Sequence, residues 1–369
     1  MNLSFLRDAL RRYVLVFDPF LFAVLLAIVV VSSVTMYSAA FDYPGRFESH
    51  LRNMALALAV AWATTLVGPR TMMRSALPLY LVGVGLLIAV ALTGDVSKGA
   101  RRWLDLKFAR IQPSEILKIA MPLLLAWYFH HHAGMLRWRQ YVVAIVLLLI
   151  PVLLIARQPD LGTSILVFAA GAYVIFFAGL SWRVIFGGIV AGLSALPLLW
   201  MVMKEYQKQR VLTMIDPTSD PLGKGFHIIQ SMIAVGSGGT SGKGFLQGTQ
   251  THLEFIPERT TDFLFSVFAE EFGFAGEMLL LGLYAALIAR GLMIAAHGTD
   301  TFTRLLASAV TMIFFTYAFV NMGMVTGILP VVGVPLPLMS YGGTAAVTLG
   351  LGAGMLMSIA KRNRQAARP

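Results

Sequence analysis

Apolar runs near twenty residues recur along the chain, and nothing else in it restricts the fold as tightly. Each is long enough to cross about 30 Å of hydrocarbon as a helix. Ten can be read, at roughly 19–38, 52–68, 75–93, 113–130, 140–157, 160–178, 183–203, 266–289, 305–326 and 339–360. A membrane segment must satisfy its own backbone polar groups, and the alternating pattern of a barrel strand is absent, so helices are expected. Composition agrees: 57% of residues are hydrophobic and 13% charged, and mean hydropathy is +0.75, far from soluble domains. The expectation is an all-α integral membrane protein, a single polytopic domain over 1–369 with about ten transmembrane helices. One large extracytoplasmic loop, 204–265, would join helices seven and eight.

Arg7, Arg11 and Arg12 precede the first run as they would in a signal peptide. The run is about twenty residues long and further spans follow, so it reads as a retained first helix. The chain has no cysteine, which excludes disulfides and thiolate metal sites. No internal repeat is visible, which speaks against an inverted-repeat transporter.

Basic residues of short loops favour the cytoplasmic side. An N-terminus inside places Arg70, Arg74, Arg137, Arg139, Arg183, Arg290, Arg304, Lys361, Arg362 and Arg364 in inner segments, and an even number of spans leaves both termini cytoplasmic. Two basic groups then lie outside, at 98–118 and in the long loop. Long loops translocate whatever their charge, which accounts for the second group; alternatively, the external charge faces an anionic ligand. The net charge is +11, but bases divided in this way form no single stripe for nucleic acid.

A loop of roughly sixty residues is uncommon and is usually either functional or disordered. This one carries too many aromatic and aliphatic residues for a solvated linker. Its Gly-rich stretch, Gly236 to Gly244, fails as a phosphate-binding loop: Ser237 stands where the pattern needs Gly, and Gly244 where it needs Ser or Thr. Asp262, where the loop returns to the membrane, is the carboxylate best placed to act as a general base. Its alternative role is to cap the eighth helix with Thr260 or Thr261. Glu258 is its nearest competitor, with Glu270 and Glu271 deeper. Ahead of the fourth helix, Pro113 suits the first turn, and Glu115 and Lys118, three apart, share a face and can pair. Ionisable groups at the mouth of a span are expensive unless paired or facing water. The structural alternative is Glu115 complementing the helix N-terminus while Lys118 snorkels outward. Asp160 reads equally well as a cap of the sixth helix. His130, His131 and His132 lack further ligands and read as solvated.

Taken together, these stretches resemble the SEDS family of bacterial cell-wall polymerases. The resemblance runs through Lys98-Gly99-Ala100-Arg101-Arg102-Trp103-Leu104-Asp105, Gln112-Pro113-Ser114-Glu115, Gln158-Pro159-Asp160-Leu161-Gly162-Thr163-Ser164, Asp216-Pro217 and Asp220-Pro221-Leu222-Gly223. It continues in Gly236-Ser237-Gly238-Gly239, Gly248-Thr249-Gln250, Phe255-Ile256-Pro257-Glu258, Thr261-Asp262-Phe263, the run from Gly327 to Leu338, and Ser340-Tyr341-Gly342-Gly343. The Gly248-Thr249-Gln250 and Gly327–Pro335 stretches look more like the elongation branch of the family than its division branch.

The resemblance implies a peptidoglycan glycosyltransferase that polymerises lipid II into β-1,4 glycan strands and releases undecaprenyl diphosphate, serving elongation and rod shape. It implies a multi-pass protein of the bacterial cytoplasmic membrane with its active site facing the periplasm or exterior. A class B penicillin-binding protein is the implied transpeptidase partner, with lipid II and membrane lipids as the other contacts. The family's loop aspartate falls on Asp262, and its acid–base pair on Glu115 and Lys118. Arg101, Arg102, Arg110, Lys118, Arg210 and Lys243 become the candidate diphosphate contacts, with Glu115 orienting Lys118. No residue cluster dictates a metal; a divalent cation, Mg or Mn, bridging the diphosphate and a carboxylate is compatible with few protein ligands. Two other classes stay open at this stage. A lipid II flippase should carry ionisable groups near the midplane, and a non-enzymatic scaffold for the transpeptidase should be indifferent to Asp262.

Overall fold

The computed structural model describes residues 17–93, 95–97, 100–105, 110–134, 137–203, 205–219 and 224–366. Its helices are α1 (Pro19–Ala39), α2 (Arg46–Leu66), α3 (Pro69–Thr93), α4 (Pro113–His131), α5 (Trp138–Arg157), α6 (Leu161–Phe177), α7 (Trp182–Ser194), α8 (Leu196–Val202), α9 (Glu205–Ile215), α10 (Lys224–Ser237), α11 (Thr249–His252), α12 (Leu264–Ala296), α13 (Thr301–Val325) and α14 (Gly343–Ala366). Each expected apolar run coincides with one of these, with α7 and α8 sharing a run across a 42° bend. By length and apolarity alone, six of the described helices can cross a membrane, or seven if the bent pair is one span. α2 falls short because its first turns carry Arg46, Glu48, His50 and Arg52.

Two stretches read as loops turn out to have structure. Between α3 and α4, β1 (Asp95–Ser97), β2 (Ala100–Asp105) and β3 (Arg110–Ile111) form a three-stranded antiparallel ribbon in the order β1-β2-β3. The 204–265 segment holds α9, α10 and α11, so its apolar residues serve helices and not an extended loop.

The core lies around α13 and α4. Every residue of α4 from Leu117 to Ala126 is buried, and α13 packs against α4, α6, α12 and α14. In lipid, helices associate through close packing, which favours small residues at contacts. The α2–α14 pair shows this: a Cβ at Gly350 would meet the Ala57 carbonyl oxygen at 2.3 Å, and one at Gly354 the Ala61 carbonyl oxygen at 2.4 Å. At the far end of the bundle from Asp262, Asp18 caps α1 and takes two hydrogen bonds from Arg290 of α12, at 3.0 and 2.7 Å.

α12 is broken at Gly273, whose φ of 62° and ψ of −164° leave the helical region. A break inside a bilayer must be repaired by other polar groups. Here the Gly-rich stretch does it with four backbone bonds: Lys243 and Gly244 N–H donate to the Glu270 and Glu271 carbonyls, and Phe274 and Ala275 N–H donate to those of Gly239 and Thr240, all at 2.9–3.0 Å. Glycine is required because a Cβ at Gly238 or Gly242 would fall within 2.1 Å of the α12 backbone. The side chains add a second bond set. Glu270, fully buried, pairs with Lys243 at 2.7 Å and accepts from the Gln250 N–H at 2.9 Å and the Thr251 N–H at 3.3 Å.

Gly273→Ala should therefore destabilise the protein by at least the roughly 1–3 kcal/mol of a glycine-only backbone conformation, with a clash added. Gly282→Ala, in the same helix with open space around it, should leave thermal melting in detergent unchanged or slightly raised. Equal melting temperatures for the two variants would show that the break does not need this repair.

Candidate active site

The site begins at the N-terminal turn of α4. Gln112 is the N-cap and Pro113 follows it, leaving Glu115 and Lys118 one turn apart on a single face. Lys118 Nζ donates to Glu115 Oε1 and to the Tyr317 hydroxyl of α13, both at 2.6 Å. The Thr348 hydroxyl of α14 donates to the other Glu115 oxygen at 3.2 Å. Lys118 is 3% exposed, so it does not snorkel; it turns inward, where paired partners make a buried charge tolerable. Asp160 takes the capping role at α6, accepting from the Thr163 N–H at 3.2 Å, and ties that helix to α4 by accepting from Gln112 Nε2 at 3.1 Å.

Asp262 does not cap α12, whose N-cap is Phe263. It is half-buried. Its carbonyl accepts from Asn321 Nδ2 at 2.8 Å, and its carboxylate rests against Gly333, where an added Cβ would lie 3.5 Å from Oδ2. Two arginines hold the approach. Arg259, 1% exposed, donates from Nε to the Ala39 carbonyl at 3.0 Å, forms an ion pair with Asp42, and lies 4.9 Å and 5.0 Å from the Phe41 and Tyr43 rings. Burial pushes the Asp42 carboxyl up, but the hydrogen bond and positive charge of Arg259, with further hydrogen bonds, together outweigh it and hold it below the ordinary value. A depressed value makes this anchor fully present above the unfolded carboxyl range near pH 4 and weaker as pH falls below it. Arg46 donates to the Thr260 hydroxyl at 3.1 Å and stacks 4.7 Å from the Tyr43 and Tyr341 rings. The Tyr341 N–H donates to the Thr260 carbonyl at 2.8 Å.

Sequence reasoning passed over Arg46 and Arg259 as site-builders. Arg259 stands three residues before Asp262, and that proximity was the available signal; Arg46 reaches Thr260 only through the fold. The other expected residues separate. Glu258 is exposed; its carboxylate accepts from the Thr261 hydroxyl at 2.9 Å and its carbonyl from the Phe263 N–H at 3.3 Å, which closes the turn that presents Asp262. Lys243 engages Glu270 at 2.7 Å and the Thr249 hydroxyl at 2.7 Å, so its ammonium serves the repair of α12. Arg210 is half-buried on α9. Arg101 and Arg102 lie on β2 and Arg110 on β3, and their side chains lie outside the described residues. Among the described residues no three His, Cys, Asp or Glu gather as a metal site.

A cavity of about 700 Å³ opens between α2, α3, α4 and α14. Its polar end holds Gln112, Glu115, Thr344 and Thr348, and its other end is mostly apolar, with Leu79, Leu123, Val67 and Met355 beside Thr64 and Ser75. From Gln112 to Leu123 it follows α4 for about 16 Å, at 1.5 Å per residue. The polar end reaches toward Asp262: Gly343, on the cavity wall, is two residues from Tyr341, which bonds to Thr260.

The profile of the cell cycle protein family of FtsW, RodA and SpoVE matches residues 13–365. The peptidoglycan glycosyltransferase MrdB of Escherichia coli (strain K12) is 50% identical over 343 residues, which cover 93% of each chain. A solved peptidoglycan synthase complex, described as coordinating polymerization and crosslinking, contains a chain that superposes with a TM-score of 0.82 at 34% identity, covering 95% of this chain and 99% of that one. The rod shape determining protein RodA of Thermus thermophilus superposes with a TM-score of 0.72 at 29% identity, covering 96% and 98%. The chain belongs to the FtsW/RodA/SpoVE family of cell cycle proteins, and it is a multi-pass membrane protein.

Proposed function

We propose that Asp262 is the general base with which this chain, a peptidoglycan glycosyltransferase, joins lipid-linked disaccharides. The observation that carries the reading is spatial. A half-buried carboxylate, on a turn whose backbone is held through Arg259, Thr260 and Asn321, stands at the same end of the bundle as the polar mouth of a long apolar cavity. An amphiphile with a charged head and a polyprenyl tail fits that division, with the tail along α4 and the diphosphate at the mouth. Lipid II has this chemistry.

In the reaction the acceptor's 4-hydroxyl loses its proton to the Asp262 carboxylate as its oxygen bonds to the donor's anomeric carbon. The anomeric C–O bond to the diphosphate breaks, and undecaprenyl diphosphate leaves with the electron pair. Inversion at an α-linked donor gives the β-1,4 linkage. General-base catalysis contributes about 10²–10⁴-fold, and fixed positive groups near the departing oxygens stabilise the charge that develops there. Glu115 lines the mouth, with Lys118 behind it. The buried ammonium compensates the carboxylate, so the pair presents no net negative charge to an anionic head group. Arg46, two residues' reach from Asp262 through Thr260, joins Arg101, Arg102, Arg110 and Arg210 as a candidate diphosphate contact. A divalent cation would supply further neutralisation of the diphosphate, with Asp262 or Glu115 as its protein ligand. The outward-facing site, the cytoplasmic termini and a class B penicillin-binding protein as crosslinking partner complete the proposal. Their supports are the distribution of basic residues in the sequence and the likeness to a chain of a synthase complex.

With purified protein, its transpeptidase partner and lipid II, Asp262→Asn should lower glycan polymerisation by about 10²-fold or more with unchanged melting. Normal strand synthesis by the folded variant would refute the assignment. A second experiment separates stability from function at the buried pair. Glu115→Gln leaves Lys118 uncompensated and should destabilise the protein by about 3–5 kcal/mol. The double variant Glu115→Gln with Lys118→Met removes both charges and should recover melting without recovering polymerisation. Wild-type rates from the double variant would make the pair purely structural.

A further inference from the structure

α13 presents two polar side chains on one face, Tyr317 and Asn321, four residues apart and both 0% exposed. A polar group inside a membrane helix is costly unless it is engaged. Tyr317 takes the Lys118 hydrogen bond. Asn321 donates from Nδ2 to two carbonyls, those of Asp262 and Val334, each at 2.8 Å. Both partners are acceptors, so only the NH₂ end can serve them, and the orientation of the amide follows from this. Its oxygen is buried with no hydrogen-bond partner among the described residues, a penalty that an apolar residue of the same size would avoid. What Asn supplies at this position is therefore the pair of donors. They join the backbone of Asp262 to the backbone next to Gly333, the surface against which the Asp262 carboxylate rests.

We infer that Asn321 is a positioning residue for Asp262, fixing the carboxylate against the Gly333 turn and, through Tyr317 on the same helix face, relative to Lys118. The inference rests on the reading of Asp262 as the base. Four residues of helix separate the two anchors by about 6 Å, so one rigid element sets the distance between the proton acceptor and the buried cation. Displacement of a reacting group by about 1 Å is enough to lower a rate by about 10²-fold. The bracing therefore belongs to the rate of the chemical step and not to the affinity for substrate.

The test measures polymerisation against lipid II concentration for the full chain with its transpeptidase partner. Asn321→Leu keeps the volume, suits a membrane helix and removes both donors together with the orphan oxygen. It leaves the Asp262 and Val334 carbonyls without this donor and should fold with a somewhat lowered melting temperature, keep KM within about twofold and, per folded protein, lose kcat by about 10–100-fold. Asn321→Gln keeps both donors but moves them by one methylene, and should show a smaller fall in kcat at the same KM. If Asn321→Leu does not fold, Asn321→Gln decides alone, and a wild-type kcat from it overturns the inference. A folded Asn321→Leu with wild-type kcat overturns it as well. So does a loss of activity that only tracks the loss of folded protein, because that is what a structural role produces. Activity in Asp262→Asn would instead remove the base reading itself, so the two failures are told apart.

Discussion

A bilayer leaves no backbone polar group to water, and the break in α12 at Gly273 is where that constraint organises the rest of the molecule. Once the helix departs from its ladder, the carbonyls of Glu270 and Glu271 and the N–H groups of Phe274 and Ala275 need partners. The 238–244 turn supplies them, and this is possible only because glycine lets two backbones approach so closely. With the turn fixed, α11 is drawn onto the Glu270 carboxylate. The chain then has residues 253–263 in which to return to α12, and Asp262 lies at the end of that return. A local demand for hydrogen bonds thus determines where the Asp262 carboxylate emerges.

The cations divide by the same logic. Charge removed from water must be matched, and a breach of the match is more costly than its presence is stabilising. Arg259 with Asp42, Lys243 with Glu270, and Arg290 with Asp18 are matched one to one and hold elements together. Lys118 differs. Its ammonium has three donors; Glu115 and Tyr317 take two, and its carboxylate partner faces the cavity. This pair borders the cavity of about 700 Å³ at the Asp262 end, whereas Asp18 and Arg290 line a smaller one of about 200 Å³ at the opposite end.

The helices were legible because their signal is local. Twenty apolar residues predict a span whatever they pack against, and the runs at 113–130 and 305–326 were identified within a few residues. The pairing of Glu115 with Lys118 was legible for the same reason, since helical periodicity alone puts them together. The interior of 204–265 was not. Lys243 looks like a phosphate ligand in sequence because Glu270, its partner, lies 27 residues away on a helix whose break is visible only as one glycine among 34. Arg46 was hidden by another route: sequence shows a basic residue near a helix start, whereas its contact with Thr260 depends on α1 and α2 folding back beneath the loop. Asn321, inside an apolar run, carried the plainest signal that went unread, a lone carboxamide where lipid offers it nothing.

Bracing and openness have to coexist at this end of the bundle, and the distribution of small residues shows how. Gly350 and Gly354 let α2 and α14 meet backbone to backbone, and Gly343 keeps the pair close at Asn53; the cavity opens beside this pair and is completed by α3 and α4. A helix pair locked along its length can form a fixed wall for an elongated apolar ligand without having to reorganise its core, because the contact that fixes the pair is not the contact that the ligand displaces. The segment from Leu338 to Gly343 joins the cavity wall at Gly343 and is bonded to Ser32 through the Met339 carbonyl and to Thr260 through the Tyr341 N–H. Whatever enters the cavity at its polar end therefore meets a backbone already tied to the Asp262 turn, and in the proposed reaction this connection would convert binding along α4 into alignment at the carboxylate.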